Sequence, residues 1–226
     1  MVESYSIRDI PEVAPYEAWQ TAEGIPVHGG LCIEDLRTTP LGPWPRMGGN
    51  GAFINLMGSE MSSDAYLCEI PPGRNLNQER HMLEEMVFVV QGRGATAVWT
   101  PEGHRQIFEW GEGSLFSLPL NCPHQHFNGQ GDRPARYVAM TNAPLMINLF
   151  HSGDFIFNNP YAFADRYSGE EGYFSGKGKA LPGKVWETNF IANVNDFKLQ
   201  DLRERGPWDW ARCWRWPTTP WRATSP

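Results

Sequence analysis

An all-β fold of sandwich or barrel type is what the sequence predicts, and three observations carry the prediction. Glycine (23) and proline (19) together make up about a fifth of the 226 residues, above their usual roughly 7% and 5%. Helix bundles and coiled coils are poorly served by so many turn formers. From Pro71 to Phe150, short apolar and β-branched runs alternate with turn signals, the pattern of a sandwich or barrel. Charged residues are 20% of the chain and hydrophobic ones 41%, so it buries a core rather than staying solvated.

Taken in order, residues 1–50 read as an irregular N-terminal extension. It holds a short helix over 14–22 and a loop over 38–51, where prolines and glycines break any period. Strands are expected at 51–57 and 65–70. The run 85–90 is apolar and β-branched, Gln91-Gly92-Arg93-Gly94 turns the chain, and 95–100 returns as the hairpin partner. Further turns at 101–103 and 111–113 lead into strands over 105–110 and 114–118. Strands over 135–141 and 145–150 complete a barrel spanning 51–167. The Gly-rich stretch 168–185 reads as a linker or exposed loop, and 186–226 as a tail. Five of the ten tryptophans (Trp208, Trp210, Trp214, Trp216, Trp221) fall in the last nineteen residues.

The formal net charge of −7 argues against nucleic acid and anionic membranes as partners. No run reaches the roughly 18 apolar residues of a membrane span. The N-terminus has no apolar signal-peptide core. Cys32, Cys68, Cys122 and Cys213 lack metal or redox spacing, so a reducing cytoplasm is expected.

Two stretches carry chemistry, residues 73–92 and 113–128. Glu79 and His81 are two apart and so share a face on one strand, and Glu85 has the same parity. His124 lies on a separate segment, and inward residues of non-adjacent strands converge in a small barrel. Imidazole and carboxylate together suit Fe(II), Mn(II), Zn or Ni, and two histidines with one carboxylate leave positions open for O2 chemistry. Glu84 reads as solvated or capping, and Arg80 as a surface ion-pair partner. His28, His104 and His151 read as structural. Phe88, Val90, Trp99, Phe116, Phe127 and Met140 read as core.

Both stretches resemble the two signature motifs of the cupin superfamily. Gly73, His81, Glu85, Gly92, Gly113, Pro119, His124 and Asn128 stand in register with them. Glu79 replaces the first histidine, and Asn121 replaces the glycine of Pro-x-Gly, a mild change because Asn tolerates positive φ. The resemblance implies a jelly-roll barrel with His81, Glu85 and His124 as metal ligands. Glu79 is then a fourth ligand or a general base, and both readings stay open. His126 lines the pocket, with ligation as its alternative. The wider chain is similar to the first barrel of two-cupin bacterial proteins. A second barrel is missing and the tail composition is abrupt, so a truncated or frame-shifted chain is expected.

The function these residues imply is a mononuclear non-haem dioxygenase, with Fe(II) the expected cofactor and an aromatic or enol-type small molecule as substrate. The alternatives are a non-redox metal isomerase or lyase, and a non-catalytic ligand-binding cupin. A homodimer is expected through the face a second barrel would cover.

Overall fold

The computed structural model describes residues 13–59, 62–100, 102–181 and 185–196. The chain divides into a unit of residues 1–195 and a second of 196–226. The Trp-rich tail and Cys213 lie outside the described residues.

Helix α1 (Pro15–Glu23) is followed by β1 (Val27–Gly30), β2 (Gly42–Trp44), β3 (Gly49–Leu56) and β4 (Asp64–Ile70). Then come β5 (Glu85–Gln91), β6 (Arg93–Trp99), β7 (Arg105–Gly111), β8 (Leu115–Leu118), β9 (His124–Asn128) and β10 (Ala135–Thr141). Helices α2 (Ala143–Phe150) and α3 (Gly153–Phe157) precede β11 (Lys179–Leu181), β12 (Val185–Glu187) and β13 (Phe190–Ile191). Eight strands form one sheet, in the order β1-β3-β4-β10-β5-β8-β13 with β2 paired to β3. A three-stranded sheet, β7-β6-β9, faces it. The two are not hydrogen-bonded into one closed cylinder, and the architecture is a two-sheet jelly roll.

The core lies between the sheets. Phe53, Cys68, Val87, Val89 and Tyr137 from the large sheet meet Val98, Phe108 and Trp110 from the small one. Burial alternates along β5, where Glu85, Val87 and Val89 are buried and Met86 is exposed, as a half-covered strand requires. The close approach of strands explains individual glycines. A Cβ on Gly94 would sit 2.1 Å from the Phe127 carbonyl oxygen, and one on Gly51 would sit 2.3 Å from the Trp44 ring.

Several local expectations are corrected. Residues 145–150 are helix, not strand. A short apolar run reads either way by periodicity. Here Pro144 stands in the first turn, where its missing N–H costs nothing, and Ala143, Pro144 and Ile147 turn one face inward. The 38–51 loop contains β2, which pairs with β3. Glu79 and His81 lie in an irregular segment rather than a strand, tied down by a single bridge between Glu79 and His124. Met140 is 40% exposed, because it points off the outer face of β10. Within 168–185, Phe174 is buried and stacks on Phe108 with ring centroids 4.2 Å apart. Strand β13 pairs with β8, Phe190 opposite Phe116.

Helix α1 lies against the mouth of the jelly roll by one face. Tyr16 Oη donates to Asp64 Oδ2 at 2.6 Å, and Gln20 Nε2 donates to Tyr16 Oη and to Asn55 Oδ1. Glu23 accepts from Arg46 Nε at 2.9 Å and from Trp44 Nε1 at 2.5 Å. Trp19 packs on Phe53 and stacks on Phe157.

Candidate metal centre

The two motif stretches are stitched together by backbone hydrogen bonds. The Glu79 and His124 amides each donate to the other's carbonyl, at 2.9 and 2.8 Å. The Asn121 amide donates to the His81 carbonyl at 3.1 Å. Asn121 itself has φ +56°, the left-handed conformation that its motif position demands. Its Nδ2 donates to the carbonyls of Asn159 at 3.0 Å and Tyr161 at 2.6 Å. Asparagine therefore fulfils the conformational role of glycine and also moors the 159–161 segment, which glycine could not do. Asn128 closes the second motif by donating to the carbonyls of Ile70, Pro71 and Arg133.

This stitching brings His81, Glu85 and His124 together. All three are buried, and one ligand atom from each lies within 4.8 Å of the others. No other such group occurs among the described residues. His81 Nδ1 lies 3.2 Å from the Leu83 carbonyl and His124 Nδ1 3.0 Å from that of Cys122. A carbonyl only accepts, so each Nδ1 carries a proton and each Nε2 faces inward, the orientation of metal-binding imidazoles. His81 Nε2 contacts Glu85 Oε2 at 2.8 Å, and Tyr66 Oη donates to Glu85 Oε1 at 2.6 Å. Two imidazoles and one carboxylate from separate segments fit a divalent cation with open positions.

The electrostatics agree. Burial alone would raise the Glu85 carboxyl, but the His81 hydrogen bond, the charges of His81 and His124, and Tyr66 hold it at about 2. Burial disfavours a proton on His81, yet the hydrogen bond and charge of Glu85 lift it above the usual imidazole value. Burial, helped by the nearby His81, pulls His124 down to about 4. Thus one shared proton bridges His81 and Glu85, while His124 is neutral at pH 7.

Glu79 is not part of the triad. Its carboxylate is taken by Arg46, which also grips Glu23. Burial lifts the Glu79 carboxyl above its usual range even though Arg46 opposes that. The Arg46 guanidinium lies 5.0 Å from the Trp44 ring centroid and 5.5 Å from that of Phe157. Arg46, Glu79, His81, Tyr66 and Trp19 line a cavity of about 20 Å3, room for about one water. A larger groove of about 520 Å3 lies over the outer face of the sheet by Met86 and Met140; it shares Asp64 and Thr141 with the small cavity and reaches the edge of Glu85. His126 is buried beside His124, ring centroids 5.7 Å apart. Its Nδ1 lies 2.7 Å from Thr96 Oγ1. Sequence reasoning missed Arg46, Glu23 and Tyr66; all three lie outside both motifs.

No family model matches the chain, and no curated protein matches it. Among solved structures, it is similar to the oxalate decarboxylase of Lactobacillus farciminis in its formate complex. That match has 18% identity and a TM-score of 0.40, over 50% of this chain and 35% of that one. Similarity to the Momordica charantia 7S globulin has 15% identity and a TM-score of 0.40, over 49% of this chain and 33% of that one. The chain spans about a third of the length of these two proteins. No helix among the described residues is long and apolar enough to cross a membrane.

Proposed function

We propose that this cupin is a mononuclear metal-dependent dioxygenase acting on an aromatic or enol-type small molecule. The convergence of two imidazole nitrogens, from His81 and His124, and the Glu85 carboxylate among buried side chains supports this reading above all. Fe(II) held by these three residues would supply a redox-active cation with open positions for O2 and substrate. The protein's own groups do the rest. Leu83 and Cys122 carbonyls fix the two imidazole tautomers. Tyr66 holds Glu85 in orientation. Glu79, beside His81 in the cavity wall, takes the proton from the substrate hydroxyl, and the raised affinity of its buried carboxyl for a proton suits it to a base. Arg46 keeps Glu79 in place. Trp19 and Phe157 wall out water. We place the protein in the cytoplasm. We place a homodimer contact at the exposed Met86 and Met140 face, to be checked by sedimentation velocity.

Metal analysis of protein purified without added metal tests the core of this reading. O2 consumption with catechols, hydroxybenzoates and β-diketones then tests the chemistry. His81→Ala is expected to lose bound metal and turnover together. Unchanged metal stoichiometry in that variant refutes the ligand assignment, and turnover that persists without O2 refutes the dioxygenase in favour of an isomerase or lyase.

A further inference from the structure

Beside the triad, the jelly-roll interior holds two polar atoms with no nitrogen or oxygen hydrogen-bond partner among the described residues, His126 Nε2 and Tyr137 Oη. Both residues are almost wholly inside, 2% and 1% exposed. Their rings are neighbours, with centroids 5.0 Å apart. One adjoins a triad residue and the other a residue that holds one. His126 stands beside the ligand candidate His124, and the Tyr137 ring meets that of Tyr66, which holds Glu85, at 6.2 Å. The Cys68 thiol next to Tyr137 is a weak hydrogen-bonding partner and does not satisfy a phenol. Buried donors left unmet are rare and costly, so such a pair marks a place where something polar belongs.

The neighbours of His126 also decide which of its nitrogens carries the proton. Trp110 Nε1 donates to Thr96 Oγ1 at 2.8 Å, since an indole N–H only donates. Thr96 is fully buried, and its own hydroxyl proton has the His126 Nδ1 lone pair 2.7 Å away as acceptor. The Trp110–Thr96–His126 chain is satisfied throughout only if Nδ1 is unprotonated. Nε2 then carries hydrogen and has no lone pair for a cation. Ligation by His126 would need the other tautomer and would strand the buried Thr96 proton.

The small cavity beside His81 offers an anion little. Arg46 is the cation there, and it is already engaged by both Glu23 and Glu79. We infer that His126 and Tyr137 are positioning residues that donate two hydrogen bonds to an anionic oxygen of the molecule held at the triad. This makes an enolate or phenolate the bound form of the substrate. The inference rests on the triad being a metal centre.

The test uses the full chain loaded with Co(II), whose visible spectrum reports occupancy of the triad, and azide as a small anionic probe. Tyr137→Phe removes one oxygen and leaves the ring to pack. His126→Phe removes the other donor. Both variants are expected to bind Co(II) within about twofold of the wild type, while azide affinity falls roughly tenfold or more for each, the usual effect of losing a hydrogen bond to a charged acceptor. If His126→Phe does not fold, Tyr137→Phe decides alone. Azide affinity unchanged in the folded variants, with the Co(II) spectrum intact, overturns the inference and leaves the metal centre standing. A wild-type chain that takes up no Co(II) overturns both. Parallel loss of Co(II) and azide affinity shows these residues acting on the metal and also overturns the inference.

Discussion

Replacing Tyr66 by phenylalanine isolates the support of the candidate ligand Glu85 from the ligand itself. The change removes one atom, an Oη that donates to Glu85 Oε1 at 2.6 Å. Both residues are buried, Tyr66 at 8% and Glu85 at 4% exposure, so water does not readily replace the lost bond. A hydrogen bond to an ionised buried group contributes about 1.5–3 kcal/mol. Outer partners of metal ligands typically change affinity about 10- to 100-fold when removed. Tyr66→Phe should therefore weaken Co(II) or Zn binding by that factor in a chelator-competition titration. Its ring contact with Trp44, centroids 5.2 Å apart, is kept, so the apo fold should persist with a Tm lowered by a few degrees. Metal affinity within twofold of wild type, in a variant with a normal circular dichroism spectrum, would refute the claim that Tyr66 orients Glu85 for a cation.

Three further outcomes are expected. Glu85 is depressed, so its stabilisation is present above its usual 4.5 and is lost as pH falls toward about 2. His81 is raised, so its contribution is complete below its usual 6.5 and is lost as pH rises through the shifted value. The apo protein should thus gain most from this pair between pH 4.5 and 6.5, a feature that His81→Gln should flatten in melting curves taken across pH; an unaltered profile counts against the shared proton. Arg136, 9% exposed, donates to Glu69 and to the carbonyls of Leu36, Arg37 and Thr39. Arg136→Met should cost about 3–5 kcal/mol in urea unfolding, as expected when one partner of a buried pair is removed, and a loss under 1 kcal/mol would be a failure of that reasoning. Asn121→Gly should lose about 1–2 kcal/mol with its two hydrogen bonds, and Asn121→Ala more, since alanine adds strain at φ +56°; equal losses would mean that the backbone conformation carries no cost.

The central strands and the three ligand candidates were legible because their signals are local. Turn residues bracket β5 to β8, and the motif spacing runs through two short stretches. What sequence reasoning missed depends on contacts made across the fold. Arg46 lies 33 residues from Glu79 and 23 from Glu23, and no period in the sequence links them. Strand β2 has three residues, one of them proline, and exists through its pairing with β3. Helix α2 was hidden because an apolar run of eight has no clear period until its neighbours say which face is inside. Glu79 shares the buried side of the chain with His81. Its carboxylate turns to Arg46, an acceptor's choice that only the folded neighbourhood reveals.

The cover that α1 forms has a consequence for traffic through the mouth. Its inner rungs, Tyr16, Gln20 and Glu23, are fastened by hydrogen bonds and one ion pair, with Trp19 as the main greasy anchor. Solvent can take over each polar fastening at a modest net loss of about 0.5–1.5 kcal/mol. A sheet strand has no such substitute for the oily area it would forfeit on leaving. The element of least resistance is therefore the helix.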